Sequence, residues 1–402
     1  MTREEQLELK RRQSREKRRK DREAWQAARG PVDLPFLLLT LMLLAIGLIM
    51  LLSASFPSAQ AELGNPLHYF IRQAIFAGIG VVVMMIVGGI NYQRFRPLAK
   101  YAMLVSFIML VLVLIPGIGI TRNHATRWLG VPGTESLTLQ PSEVAKLGII
   151  LYFAASISKK REKMASFKEG FLPHLIPLAI VCLLVVVEPH LSGAILIFGM
   201  GAAMMVVGGI HWGWVTAGVA GVSGALYLVL FSPLMEIIGY NADRITTWRD
   251  PFWDIHGASW QMAQSLITIG SGGLLGVGLG KSRQKFMFLP EEHNDFIFAV
   301  ICEELGFIGA GLIMLLFALL IIRGFWIAIH ARDRFGSLMV VGVTTQIALQ
   351  TFLNIAVVTG FIPATGIALP FFSYGGTALV IQLVEIGIVL SVSRQMPAPK
   401  GG

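Results

Sequence analysis

The sequence predicts an all-α polytopic membrane protein of about ten transmembrane helices, both termini cytoplasmic, with one large extracytoplasmic loop between helices seven and eight. Three observations carry this prediction. Hydrophobic residues make up 54% of the 402 positions and charged residues only 14%, which departs from soluble globular composition. Apolar runs near the roughly 20 residues needed to cross a bilayer recur along the chain, and a backbone in lipid must satisfy its polar groups internally, which favours helices. Lys and Arg gather in alternate connections, the pattern of cytoplasmic loops in membrane proteins.

Residues 1–33 read as a basic cytoplasmic tail, with eleven Lys or Arg against seven acids. The first apolar run is long enough to span, so it is read as a retained anchor. The tail either fixes topology alone or also meets anionic lipid headgroups or a cytoplasmic partner. The membrane domain occupies residues 34–394, with spans at Leu34–Ser53, Ala74–Ile90, Tyr101–Ile120, Val144–Ser158, Pro173–Val187, Leu191–Ile210, Trp212–Ser232, Phe296–Ile322, Leu338–Phe361 and Gly376–Ser393. An even count returns residues 395–402 to the cytoplasm, and 24 of the 33 basic residues then lie inside. The formal charge of +9 thus reports topology rather than nucleic-acid binding. The two cysteines, Cys182 and Cys302, sit inside apolar segments, against a disulfide framework or a cysteine metal site. The connection 233–295 falls outside, and a connection that long between packed spans is usually functional.

Four segments carry candidate chemistry. Arg127-Trp128-Leu129-Gly130 leads to Leu139-Gln140-Pro141-Ser142-Glu143 and on to Lys146. Glu143 and Lys146, at i,i+3, share one helix face where opposite charges pair. Charge at the entry to an apolar helix marks either a functional cavity or a structural ion pair. The long loop holds Arg244, Arg249 and Gln261, then a glycine-rich run from Gly270 to Gly280 followed by Lys281, Arg283 and Lys285. Gly280-Lys281-Ser282 is not a P-loop, because Leu275 stands where the first glycine is required. Flexible backbone N–H groups and three basic side chains there fit a phosphate or diphosphate outside the membrane. The alternative is a turn between re-entrant half-helices with basic residues at the headgroups.

Phe288-Leu289-Pro290-Glu291-Glu292-His293-Asn294-Asp295-Phe296 runs into Glu303-Glu304-Leu305-Gly306. Asp295 stands at the membrane edge, where desolvation raises a carboxyl pKa toward that of a general base; otherwise it is a helix N-cap. The last segment, Gly360 to Gly376, contains Ser373, and its prolines and glycines break any continuous helix. Irregular backbone at membrane depth is tolerated when buried in protein, so this loop is expected to fold inward.

These motifs, in this order, resemble the SEDS family, the shape, elongation, division and sporulation proteins. The resemblance covers nearly all of the chain after Leu34. Gly278 to Lys285 is more similar to the division and sporulation (FtsW-like) branch than to the elongation (RodA-like) branch. The resemblance implies peptidoglycan glycosyl transfer at the outer face of the bacterial cytoplasmic membrane. Lipid II is joined into glycan strands on an undecaprenyl-linked donor, with inversion and release of undecaprenyl diphosphate. It implies that Asp295 is the general base, that Glu143 and Lys146 organise a central cavity, and that Arg244, Lys281, Arg283, Lys285 or a divalent cation (Mg or Mn) stabilises the departing diphosphate. It also implies a class B penicillin-binding transpeptidase as partner, with other division or elongation proteins.

Two positions depart from the family pattern. His190 follows Glu188-Pro189 where an acid is usual, which unsettles any metal or charge role for that loop, and Asn294 replaces a Thr before Asp295. Two other function classes fit the same sequence: a flippase for the lipid-linked precursor, and a non-catalytic scaffold for cell-wall enzymes.

Overall fold

A computed structural model describes residues 30–122, 125–130, 138–231 and 242–396, together with positions 12 and 16. The rest of the basic tail up to residue 29, residues 233–241 of the long connection and the C-terminal tail beyond 396 lie outside the described residues. Every apolar run read as a span is a helix. These are α1 (Leu34–Leu63), α2 (His68–Gly89), α3 (Phe95–Val113), α4 (Pro141–Lys159), α5 (Leu172–Val187), α6 (Leu191–Val207) and α7 (Trp212–Phe231). The long connection contributes α8 (Ala242–Arg249) and α9 (Trp260–Ser271), before α10 (Ile297–His330), α11 (Arg334–Val358) and α12 (Thr377–Ser393). Among the described residues, six helices are long and apolar enough to cross a membrane, and α6 and α12 are shorter apolar helices.

The chain departs from the all-α expectation between α3 and α4. Gly119–Arg122 (β1), Ala125–Gly130 (β2) and Thr138–Leu139 (β3) form a three-stranded antiparallel sheet, with Ile120 opposite Trp128 and Leu129 opposite Leu139. The segment 120–130 alternates weakly and is flanked by glycines, so its strand character was masked by the apolar helices around it. Span ends move as well: α1 runs on to Leu63 and α10 to His330, well beyond Ser53 and Ile322, while α2 and α3 start ahead of Ala74 and Tyr101 and α3 stops at Val113, so that Ile120 falls in β1.

Helix packing places α11 at the centre. Its apolar window is 67% buried, against 22% for α2, and it contacts α4, α6, α10 and α12. Helix α2 packs on α12 by one face and exposes Ile71, Ile75, Ile79, Val82 and Ile86 on the other. Such a stripe on a helix of this length is a lipid-facing surface. The two ends of the described chain meet: Gly30 N donates to Arg394 O at 2.8 Å. Asp33 caps α1 by accepting from Phe36 N at 3.0 Å, and it is gripped by Arg323, Nη2 to Oδ2 2.7 Å.

Helix α10 is broken. Gly306 adopts φ 69°, ψ −173°, a conformation essentially confined to glycine. The break frees main-chain groups, and the glycine-rich segment satisfies them. Val277 N and Gly278 N donate to Glu303 O and Glu304 O at 2.9 and 3.0 Å, while Phe307 N and Ile308 N donate to Gly273 O and Leu274 O at 2.9 and 3.2 Å. A Cβ on Gly306 would lie 2.2 Å from Gly276 N. Gly306→Ala is therefore expected to lower stability by at least ~1–3 kcal/mol from backbone strain, read as a fall in the thermal midpoint of the detergent-solubilised protein. An unchanged midpoint would contradict this account of the break.

The segment between α11 and α12 folds inward as expected. Leu369, Phe371 and Phe372 are buried, and the two Phe rings lie 6.4 and 5.8 Å from that of Phe317 on α10.

Candidate active site

Asp295 sits in the turn before α10. It does not cap the helix: Phe296 holds the cap position, and no side chain bonds the first-turn amides. Its backbone is pinned instead. Asn354 of α11 donates to Asp295 O at 2.8 Å and to Ile367 O at 2.6 Å, so one amide joins this turn to the α11–α12 segment. Ser373 adds a second stitch, donating to Asn294 O at 2.7 Å while accepting from Leu369 N at 2.7 Å. Tyr374 N donates to His293 O at 3.0 Å, and Gln73 of α2 holds Ser373 O at 3.1 Å. Ser373, expected to line the cavity, thus positions the Asp295 turn through its hydroxyl.

The carboxylate of Asp295 packs against the α11–α12 segment, with Oδ2 3.1 Å from where a Cβ on Gly366 would stand. Burial, reinforced by the nearby Glu291 charge, pushes its pKa up to about 6, against the pull of Arg127, His293 and Arg244. The charges of two guanidinium groups, from positions 127 and 244, thus act on this carboxylate. Arg127, on β2, donates to Glu188 O at 3.3 Å and to Pro189 O. Arg244, on α8, donates to Ala364 O at 2.9 Å. The sheet and the short helix of the long loop thus serve to aim Arg127 and Arg244. Gln261 lies half-buried in the first turn of α9.

Glu143 and Lys146 form the ion pair their spacing implied, at 2.8 Å, with Lys146 buried. Their surroundings hold a residue the sequence reading passed over: Glu385 of α12, fully buried, takes a hydrogen bond from Gln346 at 2.7 Å and feels both charges. Its signal was an acid within an apolar span. His190 lies near Gln140, at 3.5 Å; burial, with Arg127 and Lys146 close by, pushes its pKa down to about 3. It is therefore neutral at physiological pH and brings no charge to this loop. Burial pushes the Glu188 pKa up to about 8, and both its carboxyl oxygens lack a hydrogen-bond partner among the described residues.

Several amides of the glycine-rich segment are already engaged by the protein. The amides of Gly276, Val277, Gly278 and Lys281 all bond main-chain carbonyls. Lys285 is buried, pairing with Glu304 at 2.8 Å and donating to Ser53 Oγ of α1 at 3.0 Å and to Gly280 O at 2.8 Å. An ammonium has three N–H donors, and all three are engaged here, so in this structure Lys285 locks the segment to α1 and α10. Lys281 and Arg283 remain exposed at the rim. Among the described residues no three His, Cys, Asp or Glu side chains converge. A cavity of about 500 Å³ lies beside the hairpin, lined by Leu114, Pro116, Thr121, Thr126 and Val187 among others, and none of the residues around Asp295 lines it.

Comparisons with known proteins bear on this arrangement. Residues 34–397 match the FtsW/RodA/SpoVE family model, described as cell cycle protein. Stage V sporulation protein E of Bacillus subtilis is 44% identical over 363 residues, covering 90% of this chain and 97% of the relative. The probable peptidoglycan glycosyltransferase FtsW of Geobacter metallireducens is 37% identical, covering 90% of this chain and 95% of the relative. A chain from a peptidoglycan synthase complex that coordinates polymerization and crosslinking superposes with TM-score 0.74 at 25% identity, covering 90% of this chain and 98% of that one. The rod shape determining protein RodA of Thermus thermophilus gives TM-score 0.66 at 26% identity, covering 91% and 97%. The protein belongs to the FtsW/RodA/SpoVE family of cell cycle proteins.

Proposed function

We propose that this protein is a peptidoglycan glycosyltransferase that polymerises lipid II at the outer face of the bacterial cytoplasmic membrane, in division or sporulation. The observation that carries the proposal is Asp295 itself, in a turn pinned to α11 and the α11–α12 segment, its carboxyl pushed up in pKa by burial and acted on by the charges of Arg127 and Arg244. Asp295 takes the proton from the acceptor sugar hydroxyl. That oxygen forms a bond to the anomeric carbon of the lipid-linked strand as the carbon–diphosphate bond breaks, with inversion. Undecaprenyl diphosphate leaves, and its growing negative charge falls to the two guanidinium groups, fixed beforehand by their carbonyl contacts. Lys281 and Arg283 add positive charge at the rim.

The ten-helix topology with both termini inside is supported by 24 of 33 basic residues falling on one side. A partner of the class B penicillin-binding transpeptidase kind is supported by the structural neighbour drawn from a synthase complex. Purified protein given labelled lipid II is the test. Polymer from the unaltered chain, lost on Asp295→Asn, supports the enzyme. Lipid II flipping that survives this change without any polymer makes the protein a transporter.

The electrostatics give a further expectation. Ionised Glu291 raises the Asp295 pKa, so removing that like charge lets Asp295 ionise at lower pH. Activity that needs the ionised base falls as pH drops through about 6 in the unaltered protein. In Glu291→Gln the acid limb of the pH–rate profile is expected to move to lower pH. A limb that stays in place or moves up would contradict this.

A further inference from the structure

Beside Asp295, three aromatic rings from separate elements gather at the outer end of α2. Tyr69, in the first turn of α2, stacks on His293 with ring centroids 4.6 Å apart and planes 26° apart. Tyr374, from the α11–α12 segment, meets Tyr69 edge-on at 5.1 Å and 72°, and His293 at 6.2 Å and 61°. The cluster is held from below. Tyr69 Oη donates to Glu62 Oε2 at 3.2 Å, His293 Nδ1 lies 3.5 Å from Glu292 Oε1, and Tyr374 N donates to His293 O at 3.0 Å. His293 stands two residues before Asp295 and acts on its charge.

These rings differ from the protein's packing aromatics. Phe317, Phe371 and Phe372 are buried, whereas Tyr69, His293 and Tyr374 all keep partial access to solvent. A brace that only packed helices would have no need of a hydroxyl, an imidazole and water access next to the base. An aromatic face is electron-rich and attracts the weakly positive C–H groups on one face of a pyranose. The hydroxyls at the sugar's edge are then left free to meet a neighbouring carboxylate.

Resting on the polymerase reading above, we propose that Tyr69, His293 and Tyr374 form a stacking platform for the acceptor sugar of lipid II, which presents its attacking hydroxyl to Asp295. The platform sets affinity for the sugar, while Asp295 sets the proton transfer. Sequence alone could not assemble it, because its members come from positions 69, 293 and 374.

Binding is measured on the full chain in lipid nanodiscs carrying Asp295→Asn, so that no turnover intervenes, with lipid II and with undecaprenyl diphosphate, which lacks the sugars. Tyr69→Leu is expected to weaken lipid II binding about ten-fold and to leave undecaprenyl diphosphate binding unchanged. Tyr69→Phe restores lipid II affinity, because the ring and not its hydroxyl makes the contact. In chains that retain Asp295, Tyr69→Leu raises KM for lipid II without moving the acid limb of the pH–rate profile. Unchanged lipid II affinity in Tyr69→Leu overturns the platform. So does an equal loss for both lipids, which would mark general damage. Unaltered protein that binds lipid II yet makes no polymer would instead overturn the polymerase reading, leaving the binding comparison intact.

Discussion

Asp295→Asn is expected to lower the rate of glycan polymerisation by about 10²–10⁴-fold, the usual contribution of a positioned general base. The substitution keeps size and shape and removes only the ability to accept a proton. The fold should persist, because the contacts that pin this turn run through main-chain atoms: Asp295 O to Asn354, Asn294 O to Ser373 and His293 O to Tyr374 N. Turnover of labelled lipid II, followed beside the thermal midpoint, separates the two effects. An asparagine variant that keeps more than about a tenth of the rate at an unchanged midpoint removes Asp295 from the chemistry.

Lys285→Met is expected to be the most destabilising single change in the glycine-rich region. It leaves the Glu304 carboxyl buried with its cation gone, beside Glu303, a second buried acid held by Ser282 Oγ and Arg283 N. Breaking a buried pair from one side costs about 3–5 kcal/mol, whereas replacing both partners together is often close to neutral. Lys285→Met combined with Glu304→Gln should therefore recover much of the lost stability in thermal unfolding. The pair also separates two roles. A diphosphate ligand lost from position 285 would stay lost in the double variant, whereas a structural lock predicts that polymerisation returns as stability does.

Asp295 and the Glu143–Lys146 pair stand out in the sequence because each is a charge placed beside an apolar run, which is expensive unless used. The helices are legible for the same reason, since lipid leaves the backbone few options. The pairing of Lys285 was not visible in the sequence because its partners lie elsewhere. Ser53 is on α1 and Glu304 on α10, and a basic residue after glycines looks alike locally whether it faces a phosphate or a carboxylate. The acceptors of Val277 N and Gly278 N were not visible either, because those carbonyls are freed only once α10 breaks at Gly306. Asn354 and Glu385, polar residues inside apolar spans, gave a usable signal. Tyr69 gave none, since a tyrosine at the end of a membrane helix is ordinary.

The seam at Gly306 ties Gly278 N to Glu304 O, so the chain between them, Asp295 included, is a ring closed by main-chain bonds. Its circumference is fixed by residue number. A residue added or removed inside the ring must be absorbed there, since slipping the seam would orphan amides at membrane depth. Length variation should thus be tolerated ahead of the seam, toward α8, and refused between residues 278 and 304, where the base would be carried away from its two arginines.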